Sequence, residues 1–103
     1  PAPPAGSNSV WHLFPVLVEA FEQDAECVRA GFREHLAMAG IASGVHFPTV
    51  IPDQPALQHL GSSSEVGRAR AFARRQVSLP IHPHLSDADV GRVVEACNAW
   101  KPA

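Results

Sequence analysis

Gly40-Ile41-Ala42-Ser43-Gly44-Val45-His46-Phe47-Pro48 is the stretch whose reading decides the fold. A helical pattern runs up to Gly40, a residue able to take positive φ and close a helix, and Ile41 is placed to fold back on the last turn. Gly44-Val45-His46-Phe47 is then at most a brief strand, because Pro48, Pro52 and Pro55 remove backbone donors and forbid a regular ladder. A strand that stops in a rigid, histidine-bearing loop is a scaffold edge, and loops on such edges are where binding residues concentrate. His46 and Phe47 are therefore the candidate binding residues. A lone histidine at a strand end is also compatible with a purely structural role.

Upstream, residues 9–19 read as a first strand, apolar on both alternating faces and so expected to be substantially buried. Pro15 inside it implies an edge, a bulge, or a position whose N–H points away from the sheet. Asp24 is placed to cap the next helix, where Val28, Phe32, Leu36 and Ala39 make one apolar face. Gly31 weakens that helix unless a neighbour packs closely on it. Downstream, Asp53 is placed to cap a short helix through Leu57 and Leu60, stopped by Gly61. Ser62 and Glu65 form a capping-box pattern for a helix reaching about Gln76, with Val66, Ala69, Phe72 and Ala73 inward. Residues 77–81 read as a short strand. Ser86 and Asp89 give a second capping box, ahead of a stripe of Val90, Val93, Val94, Cys97 and Trp100.

Three short strands, with helices sufficient to cover one face, predict a two-layer α+β domain built on a three-stranded, mainly antiparallel sheet. The domain is expected over residues 9–101, between a proline-rich linker at 1–8 and a tail at 102–103. An opening linker without an initiator methionine suggests a piece of something longer.

The formal charge of -2 gives no reason to expect a nucleic-acid partner, and no run of about 18 apolar residues spans a membrane. Cys27 and Cys97 lie on helical apolar stripes without CxxC spacing, which predicts reduced core thiols and a cytoplasmic setting. His82-Pro83-His84 near Asp87 has the donor types of a metal corner but not the spacing of a structural zinc site. The chain has no Gly-x-Ser-x-Gly elbow and no glycine-rich phosphate loop. Arg68, Arg70, Arg74 and Arg75 make one helix locally basic, either a phosphate-binding face or, as we favour, a solvated one.

Several segments, kept in order, resemble a family. Trp11-His12-Leu13-Phe14-Pro15-Val16, Phe32-Arg33-Glu34-His35-Leu36 and Gly40-Ile41 followed by Gly44-Val45-His46-Phe47-Pro48 carry the first half. Gln54-Pro55-Ala56-Leu57, Leu60-Gly61 and Ser78-Leu79-Pro80-Ile81-His82-Pro83, leading into Leu85-Ser86-Asp87, carry the second. Together they look like the C-terminal part of the DegT/DnrJ/EryC1/StrS sugar aminotransferases.

The resemblance implies a fold-type I enzyme that uses pyridoxal phosphate to move an amino group from an amino acid onto a keto-sugar nucleotide. This segment would be its small domain, which closes one side of an active site in a parent expected to be a homodimer. The cofactor lysine, the partner of the pyridine nitrogen and the phosphate-binding residues would belong to an N-terminal large domain lying before Pro1. No catalytic, cofactor-binding or metal residue is therefore assigned here, and the segment is expected to be inactive alone.

By the same resemblance His46 matches the histidine of the family's Gly-Ile/Val-His-Tyr-Pro motif and is expected, with Phe47, to touch substrate. Phe47 stands where tyrosine is common, which leaves it packing or stacking instead of a phenolic hydrogen bond. The alternative is a stand-alone binding module without catalysis, using the surface a large domain would cover.

Overall fold

Strand β1 (Phe14–Leu17) and strand β2 (Gln76–Leu79) pair antiparallel, with Phe14 opposite Leu79 and Val16 opposite Val77. The computed structural model describes residues 3–61 and 64–102. Between the strands lie α1 (Ala25–Met38), the 3₁₀ turns Ile51–Asp53 and Pro55–Leu60, and a third turn, Ser64–Val66, running into α2 (Gly67–Arg75). Helix α3 (Asp87–Ala99) follows β2. Ser62 lies outside the described residues, and with it the capping box expected there.

Among the described residues the sheet has two strands, not three. Gly44 alone reaches β2, exchanging both backbone bonds with Ser78: Gly44 N–H donates to the Ser78 carbonyl (3.0 Å) and Ser78 N–H to the Gly44 carbonyl (2.8 Å). Phe47 then takes φ +63 ahead of Pro48, which turns the backbone out of any ladder after that single bridge. Because Ser78 spends its N–H and carbonyl on Gly44, its pairing with Pro15 on the other side carries no hydrogen bond. The N–H that Pro15 lacks would point outward, so the proline costs the ladder nothing and blunts the open edge of β1.

The first strand is shorter and wetter than the apolar run 9–19 predicts. Val10 is 98% exposed and Leu17 53%; only Val16 and Val18 turn toward the core. Helices cover one face of the sheet, so alternation leaves the other apolar set outside. Phe14, at the strand's end, is half-exposed and rests against the Trp11 ring at 5.3 Å.

The core is Val18, Phe32, Leu36, Ile41 and Val77, flanked by Val16, Val28, Leu79 and the inner side of α3. Helix α1 ends as its sequence dictates. Gly40 takes φ +73, Gly40 N–H donates to the Ala37 carbonyl, and Ile41 N–H reaches back to Leu36 (both 2.9 Å). These are the two bonds of a Schellman motif, and they deliver Ile41 into the core beside Leu36. Asp24 occupies the N-cap position of α1 without making a side-chain cap bond.

Helix α3 carries the predicted capping box: Asp89 N–H donates to Ser86 Oγ (3.1 Å) and Ser86 N–H to the Asp89 carboxylate (3.1 Å). The Ser86 hydroxyl and then its amide hold the Asp89 carboxyl below the usual range. The inward face of α3 is Val93, Ala96, Cys97 and Trp100, while Val90 and Val94 stay about half exposed. Trp100 lies over Gly31, where a Cβ would come within 3.1 Å of the indole, so the glycine in α1 makes room for that ring. His35 Nε2–H donates to the Ala96 carbonyl (2.9 Å), tying α1 to α3. Cys27, expected in the core, is exposed, and Cys97 is half-buried. Burial pushes the Cys97 thiol up, away from thiolate reactivity.

Two glycine substitutions check this account. Gly40→Ala places a side chain at φ +73 and is expected to cost about 1–2 kcal/mol of stability. Gly91→Ala, inside α3 with nothing within 4 Å of the new Cβ, is expected to add about 0.5–1 kcal/mol. Urea-unfolding midpoints of the two variants should move in opposite directions.

Candidate functional site

Outside β2, the corner at His46 and Phe47 is built on two buried polar side chains of that strand. Gln76 and Ser78 are 1% and 5% exposed and stand two residues apart, facing away from Val77. Gln76 Nε2 donates to the His46 carbonyl at 2.6 Å. Ser78 Oγ lies 2.9 Å from His46 Nδ1. The imidazole lies over Gly44, whose hypothetical Cβ would meet its Cε1 at 2.7 Å, so no other residue type fits at 44 without moving the ring. The histidine is thus held by its carbonyl and one ring nitrogen, with the Cε1 edge of the ring against Gly44.

That hold places Phe47 in the left-handed region, unusual for a residue before proline, and turns its ring outward at 80% exposure. The ring forms the rim of an open groove of about 750 Å³, with Val50, Ile51 and Pro52 along the loop side. Val66, Ala69 and Phe72 of the α2 segment form the opposite wall. The predicted inner stripe of α2 is therefore split. Ala73 is buried, whereas Phe72 is 44% exposed and faces this groove.

The loop is tied to α2 at one more point. Arg70 forks onto Asp53, Nε to Oδ2 at 2.6 Å and Nη2 to Oδ1 at 2.5 Å. Asp53 was expected to cap the following short helix. Gln54 takes that position instead, and the Asp53 carboxylate goes to the guanidinium, whose hydrogen bonds hold its pKa below the usual carboxylate range. Arg74 stands 3.8 Å from both Glu22 and Glu26, and Arg29 Nη1 donates to the Ala73 carbonyl at 2.7 Å. With Arg70 on Asp53 and Arg74 beside two glutamates, neither of these two arginines is an unspent phosphate donor.

The other sequence candidates are dispersed. The Nδ1 atom of His82 accepts from the His84 N–H (3.2 Å), and among the described residues no three His, Cys, Asp or Glu side chains come together as an ion would need. Lys101, the chain's single lysine, is exposed beyond the end of α3. An imine-forming lysine needs a desolvated or otherwise activated amine, and the cofactor phosphate needs unspent donors. Lys101, exposed beyond the helix end, does not fit the first of these roles. Among the described residues no helix is long and apolar enough to cross a membrane.

The sequence singles out His46 and Phe47 as candidates but does not point to Gln76, Ser78 or the Asp53–Arg70 pair around them. A signal for Gln76 and Ser78 was available: two polar residues flanking Val77 at strand spacing must find partners if the strand is buried.

Comparison with known proteins follows the same segments. The profile of the DegT/DnrJ/EryC1/StrS aminotransferase family matches residues 1–98. The dTDP-3-amino-3,4,6-trideoxy-alpha-D-glucose transaminase of Streptomyces venezuelae is 35% identical over 97 residues, 91% of this chain and 23% of the relative. The erythromycin biosynthesis sensory transduction protein EryC1 of Saccharopolyspora erythraea is 32% identical over 90% of this chain and 24% of its own length. The dTDP-3-amino-3,6-dideoxy-alpha-D-galactopyranose transaminase of Aneurinibacillus thermoaerophilus is 34% identical over 88% of this chain and 23% of its own. The chain thus spans about a quarter of the length of the curated relatives it matches. No solved structure matches it significantly.

The Asp53–Arg70 pair has a defined pH signature. A carboxyl whose folded pKa is depressed contributes stability that is complete above its unfolded value and is lost as pH falls through the folded one. Asp53→Asn is therefore expected to lower the urea midpoint at neutral pH, and the gap to the wild type should close as the pH falls through the depressed folded-state pKa. A gap that persists unchanged in acid would contradict an ionic origin.

Proposed function

The chain belongs to the DegT/DnrJ/EryC1/StrS aminotransferase family, and from that premise we propose that it is the small domain of a pyridoxal-phosphate-dependent sugar aminotransferase. In this reading it works against a large domain that holds the cofactor lysine, and it contributes the His46–Phe47 corner to the wall of the sugar-nucleotide site. The amino donor is an amino acid and the acceptor a keto-sugar nucleotide. The observation that carries the reading is the extent of the family match: nearly all of this chain, against a quarter of each transaminase it resembles. The single exposed lysine supports the same division of labour, because imine chemistry must then be housed elsewhere.

The corner suits such a role. A histidine clamped by buried partners reaches a ligand without losing much side-chain freedom on binding, and the apolar groove beside it offers an aromatic rim for packing a base or a sugar face.

A chimera tests this directly. This chain replaces the matched quarter of the S. venezuelae transaminase, and the product is assayed for the pyridoxal absorbance band and for amino transfer to its sugar nucleotide. Both are expected. His46→Ala in the chimera should raise the sugar-nucleotide KM about tenfold, the worth of one good hydrogen bond, with the absorbance band unchanged. A folded chimera that carries the cofactor yet transfers no amino group, or a KM indifferent to His46→Ala, overturns the proposal.

A further inference from the structure

The structure assigns Ser78 as a positioning residue for His46: its hydroxyl holds the imidazole in the Nε2–H tautomer, so the corner presents a hydrogen-bond donor to an oxygen acceptor on the ligand. This rests on the reading of His46 as a sugar-nucleotide contact for its use, but not for its geometry.

Among the described residues, the buried polar side chains are Gln76 and Ser78, and both end on His46. The backbone N–H and carbonyl of Ser78 are committed to Gly44. Its hydroxyl has one partner among the described residues, His46 Nδ1 at 2.9 Å. A hydroxyl can donate once and accept twice, and a neutral imidazole has one nitrogen of each kind. Were Nδ1 protonated, it would donate to Oγ, and the serine's own hydrogen would be left buried with no acceptor. If instead the hydroxyl donates and Nδ1 accepts, both groups are satisfied, and the ring proton resides on Nε2.

Rotating the ring does not offer an escape. His46 Cε1 and Nδ1 lie 2.7 and 3.3 Å from the point where Gly44 would carry a Cβ, so the imidazole is seated against that backbone. Gln76 fixes the carbonyl of the same residue at 2.6 Å, which limits movement of the corner as a whole. Nε2 makes no hydrogen bond among the described residues, and the exposed ring lines the groove. A ring fixed in this way offers an N–H, which suits a phosphate, carbonyl or hydroxyl oxygen and disfavours an ammonium group. Ser78 touches no ligand in this scheme; it acts through His46.

Nitrogen-15 NMR of the imidazoles in the full chain, at a pH where His46 is neutral, tests the assignment. His46 is expected to show one protonated-type nitrogen at Nε2 and one unprotonated-type nitrogen at Nδ1. In Ser78→Ala the preference for Nε2–H should fall by about three- to tenfold, the range a single neutral hydrogen bond supplies. Unchanged Gly44 and Val77 amide shifts serve as the check that β2 is intact. A wild-type ring protonated on Nδ1, or a tautomer ratio that ignores Ser78→Ala in a folded variant, overturns the inference. The wild-type spectrum decides the point even if Ser78→Ala fails to fold. No sugar is present in this measurement, so its outcome is independent of whether His46→Ala alters the KM of the chimera.

Discussion

Two backbone hydrogen bonds between Ser78 and Gly44 join the interior of this domain to its exposed corner, and most of the rest is arranged around them. On one face of β2, Val77 seals a core made by α1, Ile41 and α3. On the other, Gln76 and Ser78 are buried polar groups that stay satisfied only while His46 remains in place. The corner cannot drift without leaving an amide and a hydroxyl unpaired out of water, which costs more than the bonds themselves contribute. A short, two-stranded sheet is marginal by itself, and the helices packed on one face supply what it lacks.

Seen from the corner, the same arrangement explains features that are unfavourable taken singly. Phe47 sits at positive φ before a proline, a strained position that persists because neighbouring bonds determine it. The groove beside it keeps Phe47 and Ile51 largely exposed and Phe72 half-exposed, which a self-contained domain of this size would rather bury. Both make sense if the corner faces a ligand and a second domain. The Asp53–Arg70 fork fastens the far end of the loop to α2, so the groove's two walls are tied at that point as well as through β2.

What the sequence made legible was whatever local chemistry determines. Gly40-Ile41 announced a helix stop with a hydrophobic return, and both bonds of that motif formed; Ser86 and Asp89 announced a capping box, and both of its bonds formed. Phe32 and Leu36, at helical spacing, are core residues. Properties that depend on which face is covered were not legible. Val10, Leu17, Cys27, Val90 and Val94 are apolar or thiol side chains on well-formed patterns, yet no layer of this domain lies over them. The third strand failed for a related reason: its residues favour extended backbone, but Phe47 and Pro48 end the pairing after one bridge. For the site, His46 and Phe47 are candidates from the loop they occupy, and their role is a proposal. The partners that hold His46 lie some thirty residues away in sequence, where only the fold brings Gln76 to its carbonyl and Ser78 to its ring.

Native-state hydrogen exchange at Gly44 and Ser78 measures most directly whether the corner is part of the core. If β2 binds the two together, both amides should exchange only through global unfolding, with protection equal to that of core amides such as Ile41 and responding equally to denaturant. Rapid, denaturant-independent exchange at Gly44 and Ser78, with Ile41 still protected, would show a corner that opens independently of the core and would contradict the account.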